Sequence, residues 1–188
     1  MARIAPLDPP YAAEIGEALR KWMPPGAAHE PLVLFRTLHR NPELASRMRV
    51  LGAGLLAHGR LPARDREIVI DRTCARAGCS YEWGVHVAVF GEAAGLTARQ
   101  VEATVTGDPE PWTEREAALV RAVDELHESA GIAPETWARL AGHYDEAELL
   151  ELLVLAGWYR TISQLINALE IADEPWAPGF TRVEATGG

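Results

Sequence analysis

Between clusters of proline and glycine, apolar residues along the chain recur at three- and four-residue spacing, and no stretch alternates in the manner of a strand. The pattern predicts an all-α protein. Helices are expected near residues 11–22, 29–38, 42–58, 62–77, 80–94, 97–106, 113–130, 134–143 and 146–170. Thr97 with Gln100, and Thr113 with Glu116, fit capping boxes, while Asp145 opens the last helix as an N-cap. Pro134 suits the first turn of a helix, where its missing N–H has no partner to lose. Gly78, Gly95, Gly107 and Gly131 are expected stops, because glycine enters the left-handed turn without a Cβ clash. After Asp173 the chain reads as either a docked arm or a frayed end.

The helix around residue 83 carries the informative pattern. Cys79, Glu82, Trp83, His86 and Phe90 recur at i, i+3, i+4, i+7 and i+11, which predicts a common face. Val85, Val87, Ala88 and Val89 make the rest of the helix apolar, so most of its sides should be buried. Glu82 and His86 are then expected to point into protein or a pocket. A buried carboxyl and imidazole one turn apart favour sharing a proton: desolvation raises the Glu pKa and the neighbouring carboxylate raises that of the His, both toward neutral pH, where acid–base work is efficient. If the chain reverses at Gly78, Glu67 faces the same space from the preceding helix. The bland alternative is a helix-surface pair contributing a few tenths of a kcal/mol.

On the last helix Tyr159, Ser163 and Asn167 form a polar stripe at i, i+4 and i+8, readable as a pocket wall or as bonds that fix helix packing. Arg160 is a candidate anchor for a substrate carboxylate, or a surface residue. Trp83 and Phe90 fit core packing better than a ligand role, although Trp83 stays a candidate contact. Cys74 and Cys79 stand five apart, which in one continuous helix points them to different sides. A disulfide between them requires a break at Gly78, and burial as small hydrophobes is the commoner fate. The remaining histidines lack metal-ligand spacing, and Glu82–His86 has only Glu67 as a third ligand, so no metal is expected. Phosphate-loop, nucleophile-elbow and dinucleotide motifs are not found.

Composition narrows the partners. The 188 residues, 48% hydrophobic and 24% charged, suit a single helical domain over 1–188. A net charge of −9, with Lys21 the sole lysine, argues against nucleic acid and anionic membranes. Two cysteines are too few for a secreted disulfide framework. Met1 to Pro10 lacks a signal-peptide layout, and no apolar run is expected to reach membrane-spanning length, since Leu149–Gly157 is interrupted by Glu151. A cytoplasmic protein is expected.

The stretch RDREIVIDRTCARAGCSYEWGVHVAVFGEAAGL, Arg64 to Leu96, resembles the core motif of the carboxymuconolactone decarboxylase and alkylhydroperoxidase D (AhpD) superfamily. The peroxidase pattern is a glutamate, eleven residues, then Cys-x-x-Cys-x-x-x-His. Glu67, Cys79 and His86 match it, but Glu82 stands where the peroxidatic cysteine belongs. That substitution resembles the decarboxylase branch, whose motif pairs a glutamate with a histidine at this spacing. The resemblance covers roughly residues 30–172, with the core motif at 60–107, a C-terminal helical part at 112–172 and a tail at 173–188. It implies an AhpD-like bundle around a central helical hairpin. It further implies cofactor-independent acid–base chemistry, decarboxylation or a related lyase or isomerase step, on a small lactone or keto acid. Glu67, Glu82, His86 and Cys79 would be the catalytic set, with Trp83, Tyr159, Arg160 and Ser163 toward the substrate. A homo-oligomer, trimeric or hexameric, with its pocket near a subunit interface is also implied. Two other readings stay open: a thiol peroxidase or redox protein using Cys79, and a non-catalytic helical ligand-binding protein.

Overall fold

The computed structural model describes residues 2–23 and 29–180. Among these there are nine helices and no strand: α1 (Ala13–Arg20), α2 (Val33–Leu38), α3 (Pro42–Ala57), α4 (Ala63–Arg76), α5 (Ser80–Phe90), α6 (Ala98–Thr106), α7 (Glu114–Ser129), α8 (Pro134–Ala141) and α9 (Glu146–Leu169). Each expected segment contains one helix. Capping boxes form at Thr97, Thr113 and Asp145, so the side chains that mark these starts satisfy first-turn amides. Boundaries move where local chemistry differs from the pattern. Helix α2 begins only at Val33, after Pro31, and α5 ends at Phe90, with a turn carrying the chain to Gly95. Helix α7 stops one residue before the expected glycine: Ala130, at φ 56°, takes the left-handed position itself.

Helix α4 is the hub, packed against α5, α6, α7 and α9. It is buried from Asp65 through Cys74 apart from Arg66, yet many of those residues are polar. Most have internal partners. Arg72 pairs bidentately with Asp124, at 2.8 and 2.9 Å, and caps the end of α6 through the Thr104 carbonyl. Asp65 accepts from the Tyr144 hydroxyl at 2.9 Å and pairs with Arg115. Asp71 is the exception: neither carboxyl oxygen has a hydrogen-bond partner among the described residues.

The turn from α4 to α5 is a Schellman motif. Gly78 N–H donates to the Ala75 carbonyl and Cys79 N–H to the Cys74 carbonyl, with Gly78 at φ 63°. This closure folds α5 back over α4 and sets the hairpin on which the site is built. Because the helix breaks at Gly78, the two cysteines do not share one continuous helix; both are buried and free, as small hydrophobes, and both thiols lie beside Ser163 of α9.

Helix α9 runs through two apolar clusters. Leu152, Leu155 and Tyr159 join the cluster formed with α4 and α7, and Ile162 and Ile166 join the one formed with α2 and α5. Contrary to the sequence expectation, its 24 residues are long and apolar enough for a membrane span. Their apolarity is explained by these two cores, which α9 crosses in succession.

The segment after Asp173 is a docked arm as far as Phe180; residues 181–188 lie outside the described part. Buried Glu174 accepts from Val33 N–H at 2.7 Å and from the Tyr81 hydroxyl at 2.6 Å, tying the arm to α2 and α5. The Phe180 ring packs on Trp83, and the Pro178 carbonyl lies directly over Gly84, where a Cβ would collide with it.

Candidate active site

Glu67 of α4 and His86 of α5 meet across the hairpin. His86 Nδ1 lies 2.7 Å from Glu67 Oε2. A carboxylate offers only acceptors, so Nδ1 carries the proton and Nε2 is turned toward Glu82. The other oxygen of Glu67 accepts from Arg66 Nε at 2.9 Å. Glu82 Oε1 stands 3.7 Å from His86 Nε2, too far for a direct hydrogen bond. The expected proton-sharing partner is therefore corrected: Glu67, rather than Glu82, makes the short contact. The gap at Nε2 leaves a reacting atom access to both the imidazole and the Glu82 carboxyl.

All three side chains are buried. Burial alone would raise the Glu67 carboxyl, but His86 and then Arg66 outweigh it and hold Glu67 below the usual carboxylate range. Burial would likewise push the His86 imidazole down, and the facing Glu67 carboxylate reverses this, so His86 titrates above its ordinary value. Glu82 is pushed up by burial, only partly offset by His86. The result favours the ionised form of the Glu67–His86 pair and makes the Glu82 carboxyl easier to protonate than a free one.

Asp71 joins this group without having been a sequence candidate. It sits one turn after Glu67 on α4, close enough to interact electrostatically with both Glu67 and His86. Burial raises its carboxyl well above the usual range. The signal was present, since Glu67 and Asp71 stand at i, i+4 on a helix buried nearly all round.

Glu82 and His86 line a cavity of about 880 Å³, walled by α2, α3, α5, α9, the residues Lys21, Trp22 and Met23 that follow α1, and the docked arm. Tyr159 meets the His86 ring edge-on at 4.9 Å, and Phe90 covers it at 5.0 Å. Trp22, Phe35, Trp158 and Trp176 supply the farther walls. None of these four was a sequence candidate; they come from segments that only the folded chain brings together.

Other candidates fall elsewhere. Trp83 does not line this cavity: its ring is buried and its indole N–H donates to the Thr104 hydroxyl at 2.9 Å. The expected common face was too generous, because at 100° per residue Glu82 and Trp83 diverge by a full step. Arg160 donates to the His127 carbonyl at 3.1 Å, on the α7 side. Asn167 donates to the Ala77 carbonyl at 2.9 Å and helps hold α9 to the end of α4. Ser163 is wholly buried beside the two thiols, without a well-formed hydrogen bond. Cys79, the N-cap of α5, lies outside the cavity lining, and burial pushes its thiol up to about 11.

Fold and site together define a class: an all-helical, AhpD-like protein with a buried Glu–His–Glu set on its central hairpin. Solved structures share this architecture. A protein of unknown function from Agrobacterium tumefaciens, proposed to be an antioxidant-defence AhpD, aligns with a TM-score of 0.67 at 19% identity, covering 73% of this chain and 94% of that one. The debrominase Bmp8 in its apo form aligns at 0.74 and 18% identity, covering 92% of each chain. A cysteine-to-alanine variant of Bmp8 in complex with 2,3,4-tribromopyrrole aligns at 0.76 and 17% identity, covering 92% and 91%. At these identities the likeness establishes the fold. No curated protein sequence matches the chain. The sequence model of the carboxymuconolactone decarboxylase family matches residues 42–125. That match covers the segment that builds the hairpin and carries Glu67, Glu82 and His86.

Proposed function

We propose that this protein is a cofactor-independent acid–base enzyme acting on a carbonyl or lactone acid, with decarboxylation as its reaction. The observation that carries this reading is the inward-facing set: His86 held at 2.7 Å by Glu67, with Glu82 at 3.7 Å on its free side, at the wall of a cavity. In the proposed reaction the bond from the substrate carbon to its carboxylate breaks and CO2 leaves. The electron pair passes into the adjacent carbonyl as an enolate. Protonated Glu82 then delivers one proton to carbon, His86 returns a proton to Glu82, and water restores His86. The balance is one carboxylate and one proton in, one C–H bond and one CO2 out. Glu67 orients the imidazole and stabilises its charged form.

The thiol-peroxidase reading has less support from the site. Peroxide chemistry needs a thiolate, and Cys79 is buried with a thiol titrating far above neutral pH. Copies of the chain are proposed to associate, as the resemblance implies. The test of the catalytic reading is CO2 release from a panel of β-keto and lactone acids in D2O. Deuterium at the carbon that lost CO2 is expected, with His86→Ala and Glu82→Gln each lowering turnover at least about 100-fold. Full activity in both variants would end the proposal.

A further inference from the structure

The cavity divides by origin. Its chemical groups, Glu82 and His86, lie within the family segment 42–125, whereas most of its aromatic wall lies outside it: Trp22, Phe35, Trp158 and Trp176. His29 extends that wall, its ring stacked on Trp176 at 5.0 Å and 11°. The aromatic wall is chemically uniform. Among the described residues, the ionisable side chains in the lining besides Glu82 and the two histidines are Lys21, Arg49 and Tyr159, and Tyr159 is buried against His86. Lys21 and Arg49 form no ion pair among the described residues, and Lys21 is exposed where the cavity reaches the surface. At about 880 Å³ the space lies high in the range of roughly 300–1,000 Å³ that holds drug-sized ligands.

Building on the acid–base reading, we infer that the substrate is a largely apolar, flat ring compound bearing a single carboxylate, which Arg49 recognises. The flat body fills the aromatic wall by area burial and ring stacking. One anionic group finds a guanidinium without an internal competitor. His86 is already paired with Glu67 and Lys21 stands exposed at the mouth, so a second carboxylate would find no unpaired cation in the interior and would lie against Trp and Phe faces, beside a floor that already holds Glu82. Small, multiply charged lactone acids therefore fit the cavity poorly.

The experiment uses the full-length protein and reads quenching of its tryptophan fluorescence by three probes at pH 7.5: 2-naphthoate, 2-naphthalenemethanol and naphthalene-2,6-dicarboxylate. The monocarboxylate is expected to bind at least about tenfold more tightly than either of the others, a difference of about 1.4 kcal/mol. Arg49→Gln should bring it down to the level of the alcohol, and Trp176→Ala should weaken all three. Raised ionic strength should weaken naphthoate but not the alcohol, which tests the charge contact without relying on a variant's folding. Equal or tighter binding of the dicarboxylate, or naphthoate affinity indifferent to both Arg49→Gln and salt, overturns the inference. Probe binding and CO2 release are read separately on the same full-length protein. Failed binding with intact decarboxylation therefore removes the substrate class alone, and intact binding without turnover removes the reaction alone.

Discussion

A single imidazole shows how side-chain environment sets chemistry. Left in its apolar surroundings alone, His86 would be neutral; the Glu67 carboxylate at 2.7 Å makes the charged form the favoured one. Its folded value lies above the ordinary 6.5, so its contribution to stability is fully present below that value and is lost as pH rises through the folded pKa. Glu67 lies below 4.5, so its contribution is present above that value and lost as pH falls through its depressed folded pKa. Between the two folded values the pair is fully ionised. Glu67→Gln is therefore expected to destabilise most in that middle range, by about 1–3 kcal/mol, and to lower the His86 pKa. Denaturant unfolding across pH, with NMR titration of the imidazole, measures both. A His86 pKa unchanged in Glu67→Gln would contradict the assignment of Glu67 as its charge partner. Asp71 carries the opposite sign. Its folded pKa is well above 3.8, so stability is intact below that value and declines as pH rises from it toward the folded pKa. Asp71→Asn removes this titration, and its advantage over the wild type should grow across that window in the same unfolding series. A constant difference at every pH would show that Asp71 is not buried as a proton-holding group.

At the scale of elements, the hairpin of α4 and α5 and the arm laid over it position the site. The arm reaches α5 only because residue 84 is a glycine, since any Cβ there meets the Pro178 carbonyl. Gly84→Ala is expected to lift the arm and cost about 1–3 kcal/mol, the usual range for overpacking. Limited proteolysis should then cut near residues 173–180 far faster than in the wild type, while unchanged protection would show that the arm does not depend on this contact. Much of this level was legible in the sequence. The caps at Thr97, Thr113 and Asp145 and the turn at Gly78 are local chemistry, written in adjacent residues. The end of α7 was not, because Ala130 adopts a left-handed conformation that its type alone does not favour.

Across the whole molecule, some large apolar side chains remain exposed, among them residues of α3 and α9, two helices in contact. Val50 and Leu51 of α3 and Leu150 and Val154 of α9 are exposed, at 69%, 43%, 65% and 46%. Neighbouring residues of α3, Arg49 and Gly52 among them, line the cavity. Light scattering coupled to size exclusion is expected to find an oligomer, and Leu150→Glu with Val154→Glu should reduce it to a monomer. A monomer in the wild type at tens of micromolar would contradict the expected association.

What the sequence determined by itself is the set of helices found among the described residues, the hairpin and the Glu67–Glu82–His86 spacing, because helix periodicity, caps and turns act over a few neighbouring residues. Tertiary structure decided which carboxylate holds the imidazole, that Trp83 turns to the core while Tyr159 turns to His86, and that both cysteines meet at Ser163. It also assembled the aromatic wall, whose tryptophans stand at positions 22, 158 and 176 and share a surface only through packing. Those outcomes depend on directions and distances between helices far apart in the chain, where one residue step rotates a side chain by 100°.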